Sequence, residues 1–373
     1  MKVLMVTPSF YPIKGGAETT IHELSVKLNK AGIQTDILTF NMDRKWEPYW
    51  RYRTEVKDGV GIYKIPALNW LPVAHSDRVT QGVNLIPGYF MHIMRKYDVI
   101  HFHGGDMTLP LFAYTLKKPK IFQSHGFLLN FYKKYFLSRF ILKNIAHLYI
   151  AITEQMQKEF IELGISQDKV IYLPNSVDVE KFRPAAQKNS NLILFAGRIT
   201  YSKGVHVLLR SLRLLRNRVH LVLIGPSDWD SGYLNYIRRQ IDRENERGYH
   251  KIEYLGEQEQ RDMVKWYQRS SIFVLPSFKE ALPMTILESL ACGTPVIATA
   301  VGGIPEIIGN NESGVIIPPN DEKKLAEAID YLLQNEDLRI RLGQSGRRRV
   351  VEHYSYTTAI KKLLRIYQRA LQY

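Results

Sequence analysis

Cysteine is almost absent. The 373-residue chain has one, Cys292, so no intrachain disulfide can form, and a reducing cytosol is the expected setting. In its Ala291-Cys292-Gly293 context the thiol reads as a small buried hydrophobe rather than a nucleophile. Long apolar runs are missing too. No stretch of eighteen or more apolar residues occurs, so no membrane-spanning helix is expected. The opening MKVLMVTPSFYP is a short apolar run ended by prolines and reads as a strand, not a signal peptide. Neither G-x-G-x-x-G nor G-x-x-x-x-G-K-[ST] appears, which argues against a nicotinamide enzyme or a P-loop NTPase. There is no short internal repeat and no low-complexity tract. Acidic residues are in deficit, 36 against 51 Lys and Arg, giving a formal charge of +15. That excess suits nucleic acid, an anionic membrane or phosphorylated ligands, and charge alone does not choose among them.

What is present is a regular alternation of short Val/Ile/Leu-rich strands with helical segments. The first series runs Lys2–Val6, a helix near Glu18–Asn29, Asp36–Thr39, Asp98–Phe102, Lys120–Gln123 and Leu148–Ala151. Continuous apolar runs are what parallel strands buried on both faces require, and strand–helix alternation implies doubly wound sheets. The polar, proline-containing stretch 182–191 reads as a linker. A second series follows it: Leu192–Phe195, Leu221–Ile224, Ile252–Leu255, Ile272–Leu275, Val296–Ala298 and Val315–Ile317. The expected organisation is two Rossmann-like domains facing across a cleft, followed by a helical tail.

Two glutamates, Glu280 and Glu288, flank seven residues in FKEALPMTILESLACGTPVIA. A buried-type strand precedes them. A helix with Pro283 near its first turn carries the second and stops at Gly293. The free amides of Met284 and Thr285 would point out of the helix N-terminus and attract a phosphate. One segment therefore offers an anion cradle between two hydroxyl-accepting carboxylates, as a sugar joined through a diphosphate to a ribose requires. Arg198 ends a strand and Lys203 opens the next helix, supplying two cations for a diphosphate. Gly15-Gly16 precede the first helix and permit close approach of a ligand to the backbone.

The E-x7-E segment resembles that of the retaining GT-B glycosyltransferases of the GT4 type. Three further motifs in matching order extend the resemblance over essentially the whole chain: Pro12-Ile13-Lys14-Gly15-Gly16-Ala17-Glu18, Ser124-His125-Gly126, and Gly197-Arg198 with Lys203-Gly204. The resemblance implies a GT-B fold with an acceptor-binding domain at 1–185, a nucleotide-sugar domain at 190–355, and a last helix at 356–373 crossing back to the first domain. It implies a metal-independent, retaining transfer from a UDP- or GDP-sugar, without a cofactor. His125 would sit beside the anomeric carbon. Glu280 would meet the transferred sugar, Glu288 the ribose, and Arg198, Lys203, Leu282, Met284, Thr285, Gly15 and Gly16 the rest of the donor. His103 and Asn175 are weaker candidates for the acceptor side, and His101 reads as structural. Two departures fall in the motifs: Ser176 stands where the family usually has glycine after Asn175, and Ala281-Leu282-Pro283 replaces its usual glycine and phenylalanine.

Some signals lie outside these motifs. Asp228-Trp229-Asp230 could hold a divalent metal, but its place deep in the second half reads as a solvated loop. Gly302-Gly303 reads as a tight turn, and Arg347-Arg348-Arg349 as a solvated helix face. From Met107 to Thr153 there are seven Lys/Arg and no Asp/Glu. Aromatic and basic residues interleave from Phe131 to Lys143, which suits an anionic membrane interface; the same pattern fits a core helix with a solvated basic face. The expectation is a cytoplasmic enzyme, peripheral on the inner membrane face, with a lipid-linked, glycan or small-molecule acceptor and no nucleic-acid partner. The alternatives are a GT-B nucleotide-sugar epimerase and a basic nucleic-acid-binding protein.

Overall fold

Parallel strands buried on both faces dominate the computed structural model, which describes all residues except 14, 44–48, 67, 70–81, 84–86, 105–109, 111–112, 127–135, 186–187, 228–230 and 310. The chain divides into two compact units. One holds Met1–Asn175 together with Ala359–Tyr373, the other Ser176–Thr358.

The first unit is built on β1 (Lys2–Thr7), β2 (Gln34–Phe40), β3 (Arg53–Lys57), β4 (Val60–Ile65), β7 (Val99–His103), β8 (Lys120–Gln123), β9 (Leu148–Ala151) and β10 (Val170–Tyr172). Two-residue strands β5 (Leu68–Asn69) and β6 (Gly82–Val83) pair separately. The eight-stranded order is β10-β9-β8-β7-β1-β2-β4-β3. All neighbours are parallel except β3 on β4. That antiparallel edge strand is an addition to the parallel sheet that strand–helix alternation led us to expect. Asp58 (φ 52) and Gly59 (φ 78) form the two-residue turn, since an Asp-Gly pair tolerates the left-handed backbone a tight hairpin needs. β3 is mostly exposed and carries no apolar run by which the sequence would reveal it. The Gly16–Lys30 helix buries Ile21, Leu24 and Leu28 at helical spacing.

The second unit has β11 (Asn189–Ala196), β12 (His220–Ile224), β13 (Lys251–Tyr254), β14 (Ser270–Leu275), β15 (Val296–Thr299) and β16 (Gly314–Ile317). They pair in the order β13-β12-β11-β14-β15-β16, all parallel. Stretch 182–191 is not a free linker. Phe182 is buried against Tyr267, with ring centroids 6.0 Å apart. Arg347 donates to the Phe182 carbonyl at 2.7 Å, and β11 already begins at Asn189. One buried aromatic outweighs the stretch's polar composition. Arg347 and Arg349 are only half-exposed while Arg348 between them is exposed: Arg347 also donates to the Ala291 carbonyl, and Arg349 to those of Glu306 and Ile307, capping helix ends that lack intrahelical donors. The last helix, Tyr356–Ala370, starts in the second unit and belongs to the first from Ala359 onward. Its Ala359, Leu363, Ile366, Tyr367 and Ala370 form a buried stripe. No helix among the described residues is long and apolar enough to cross a membrane.

Candidate active site

In the second unit the chain runs from β11 outward through β12 and β13, then returns to place β14 on the other side of β11. The strand order therefore reverses between β11 and β14, and ligands of open parallel sheets bind beyond the strand ends at such a reversal. Arg198 follows β11 by two residues and is half-buried. The short turn Tyr201–Lys203 comes next and ends at Gly204, whose φ is 67°. A Cβ on Gly204 would lie 2.0 Å from the Pro276 carbonyl oxygen, so glycine alone lets the β11 loop press against the β14 loop. The Phe278 amide donates to the Ser202 carbonyl at 2.8 Å and ties the two loops together.

That junction brings Lys203 and Glu280 into contact. Lys203 Nζ lies 2.6 Å from Glu280 Oε1, and Ser277 Oγ donates to the same oxygen at 2.8 Å. Glu280 is buried and Lys203 about one-quarter exposed. From below, Gly302 (φ 54) lies against the Glu280 carbonyl, where a Cβ would approach to 2.0 Å. The Gly303 amide donates to Ala281 at 2.7 Å. Gly302-Gly303 thus form a tight turn that also sets the height of the glutamate loop.

Pro283 is the N-cap of the Met284–Ala291 helix, next to its first turn. The first-turn amides, including those of Met284 and Thr285, have no intrahelical carbonyl to bind. Leu282, two residues before the helix, is buried. Glu288, on the same helix, accepts the Tyr267 hydroxyl on Oε2 at 2.8 Å. Burial pushes its carboxyl up to about 7, against the lowering pull of the Tyr267 hydrogen bond and the Lys181 charge. Tyr267 itself is held well above its ordinary value by burial and by the neighbouring carboxylate. Burial lifts the Cys292 thiol to about 12, which leaves it unreactive.

In the first unit the reversal lies between β1 and β7. Gly15 caps the Gly16–Lys30 helix in an extended conformation, and Lys14 lies outside the described residues. Glu18 is buried and accepts from Ser9 Oγ at 2.5 Å, so it pins the β1 loop rather than facing outward. His101 and His103 point to one face of β7, with ring centroids 4.1 Å apart. His103 Nδ1 lies 2.9 Å from His125 Nε2, and His103 Nε2 lies 3.0 Å from Met5 Sδ. His101 Nδ1 lies 3.0 Å from the Tyr367 hydroxyl. Burial drives all three imidazoles down, His101 to about 3, His125 to about 4 and His103 well below its usual value, so all are neutral at pH 7. Asn175 is buried at the last position before the second unit.

Asp228-Trp229-Asp230 lies outside the described residues, as do Lys133 and Lys134. Among the described residues no group of three or more His, Cys, Asp or Glu side chains could hold a metal ion. Arg139 donates to the carbonyls of Glu162 and Leu163. It therefore caps the end of the Glu154–Glu162 helix rather than presenting a free cation.

Two sequence-family models match, the glycosyltransferase family 4 description over residues 14–181 and the glycosyl transferases group 1 description over 176–349. The chain belongs to the group 1 glycosyltransferases. It is 24% identical to an "uncharacterized glycosyltransferase" of Methanocaldococcus jannaschii, over 100% of this chain and 99% of that one. It is 26% identical to the N,N'-diacetylbacillosaminyl-diphospho-undecaprenol alpha-1,3-N-acetylgalactosaminyltransferase of Campylobacter jejuni, over 63% and 66%. Among solved structures, Anabaena HepE in complex with UDP-glucose superposes with a TM-score of 0.77 at 16% identity, covering 99% and 100%. The fold is the GT-B pair of Rossmann-like domains.

Several residues of this glycosyltransferase were not singled out from the sequence: Ser277 under Glu280, Tyr267 on Glu288, and Met5 with Tyr367 around the histidines. Only Ser277 carried a local signal, a hydroxyl three residues before a motif carboxylate. The others arrive by tertiary contact from distant segments.

Proposed function

We propose that this glycosyltransferase moves a sugar, with retention of anomeric configuration and without a metal, from a UDP- or GDP-sugar to a lipid-linked, glycan or small-molecule acceptor. The observation that carries the reading is the Lys203–Glu280 pair, 2.6 Å apart at the β11/β14 reversal and beside the Met284–Ala291 helix N-terminus. A cation and a row of amides meet a developing diphosphate anion there, while an adjacent carboxylate accepts sugar hydroxyls. Such fixed dipoles and charges act on the leaving group without reorganising. Arg198 adds a second cation, Glu288 accepts the ribose hydroxyls, and His125 in the first domain contacts the transferred sugar.

The acceptor class draws support from the Campylobacter relative, whose name specifies a diphospho-undecaprenol acceptor, and from the acid-free stretch 107–153. Phe140, on the Phe136–Asn144 helix, is 59% exposed, as a peripheral membrane contact requires. The test is binding of UDP and GDP by calorimetry to wild type, Lys203→Ala and Arg198→Ala. Each variant should weaken the preferred nucleotide about tenfold or more, the scale of one charged hydrogen bond. Unchanged affinity in both would remove the diphosphate from this site.

A further inference from the structure

The histidines of β7 and of the loop that follows β8 carry more information than a buried polar cluster needs. Methionine sulfur only accepts, so His103 Nε2, 3.0 Å from Met5 Sδ, carries that ring's hydrogen. A neutral ring with Nε2–H has a bare Nδ1. His103 Nδ1 must therefore accept, and its partner at 2.9 Å, His125 Nε2, must donate. By the same rule His125 has a bare Nδ1. That atom is buried and has no hydrogen-bond partner among the described residues, so it is an acceptor awaiting a donor. The arrangement is braced from behind. The His101 ring lies 4.1 Å from that of His103, and Tyr367 of the last helix holds His101 at 3.0 Å. Met5, His101 and His103 share a face because Met5 pairs with His101 in the β1–β7 register.

We propose that His103 is a positioning residue, which, seated on Met5 and braced by His101 and Tyr367, fixes His125 as its Nε2–H tautomer and so presents Nδ1 to a hydroxyl of the donor sugar. The role rests on the reading above that the sugar meets His125. The hydroxyl donates its hydrogen to Nδ1, and no proton is transferred. The consequence is selectivity for a sugar with a hydroxyl at that position, since a deoxy sugar leaves the buried acceptor unpaired.

Two substitutions separate this role from simple packing. His103→Phe keeps a ring against His101 but removes the acceptor. His103→Asn loses ring volume but returns an amide oxygen near the Nδ1 position. The first measurement needs no ligand: nitrogen-15 NMR of histidine-labelled protein, with His125 assigned by its own substitution. The expected result is Nε2–H at His125 in wild type and His103→Asn, and a mixture of tautomers in His103→Phe. The second is turnover of UDP-glucose and GDP-mannose. His103→Phe should lose about tenfold to a hundredfold in kcat, the scale of one buried hydrogen bond. His103→Asn should recover most of that loss, and affinity for UDP or GDP alone should move less than about twofold. A packing role predicts the reverse order, with phenylalanine the milder change. An Nδ1–H tautomer at His125 in wild type, or that reverse order, would overturn the proposal. Full turnover in His125→Ala would overturn it differently, by removing the sugar from His125 while the NMR result stood.

Discussion

Nucleotide affinity should rise with pH through neutrality, and Glu288 should be the cause. Its carboxyl titrates at about 7 because burial outweighs the Tyr267 hydrogen bond. A ribose hydroxyl donates best to the ionised form. With a pKa near 7, about one-tenth of the protein carries that form at pH 6 and about nine-tenths at pH 8. If binding needs the carboxylate, affinity for the nucleoside diphosphate should improve up to about tenfold across that interval, roughly 1.3 kcal/mol. The ligand's own phosphate also ionises near pH 6, so the informative quantity is the difference between wild type and Glu288→Gln. Calorimetry at pH 6, 7 and 8 and constant ionic strength measures it. Tyr267→Phe removes the hydroxyl that lowers the pKa and should shift the wild-type curve upward in pH.

Linkage gives the free protein the opposite slope. A carboxyl whose folded pKa lies above its unfolded value stabilises fully below about pH 4.5. That contribution is lost as pH rises through about 7. Relative to Glu288→Gln, unliganded wild type should lose melting temperature over the interval in which it gains nucleotide affinity. Parallel affinity slopes in wild type and Glu288→Gln would refute the reasoning.

Three other outcomes are expected. Glu280→Ala should lower transfer by about 2–4 kcal/mol of transition-state stabilisation, at least about thirtyfold in kcat, while nucleotide binding survives; wild-type turnover on an identified donor would remove Glu280 from the sugar. Chelation with EDTA should leave activity in place, and loss rescued by manganese would point to Asp228 and Asp230 instead. Exchanging Lys133, Lys134 and Lys143 for Glu should release the protein from anionic vesicles at low salt, each cation being worth roughly 1 kcal/mol there; failure of wild type to co-sediment would favour a soluble acceptor.

The central strands were legible because burial on both faces forces continuous apolar runs, as at Val3–Val6 and Ile272–Leu275. β3 was not, because both its faces are largely exposed and a turn and backbone pairing hold it. Stretch 182–191 looked like a linker because composition averages over Phe182, the residue that anchors it. Three consecutive arginines look alike whether solvated or bound to carbonyls, and only tertiary contact separates Arg347 and Arg349 from a wet surface. Candidate site residues such as Glu280 and His125 stand out because they fall in the four motifs that carry the family resemblance, not by spacing alone. Their holders do not: Tyr367 stands 266 positions from the His101 it contacts, and no local pattern encodes such a pairing.

The last helix begins in one unit and finishes the other, which imposes an order on the molecule's birth. At about 5–20 residues per second, roughly 10–40 s separate synthesis of Asn175 from that of the segment carrying Leu363 and Tyr367. Through that interval the first sheet lacks the buried stripe of Ala359–Ala370, and His101 lacks its phenol. The domain translated first is therefore completed last. A ribosome that stalls before Ala359 leaves a nascent chain whose second unit is nearly whole and whose first still exposes the apolar surface that this helix buries.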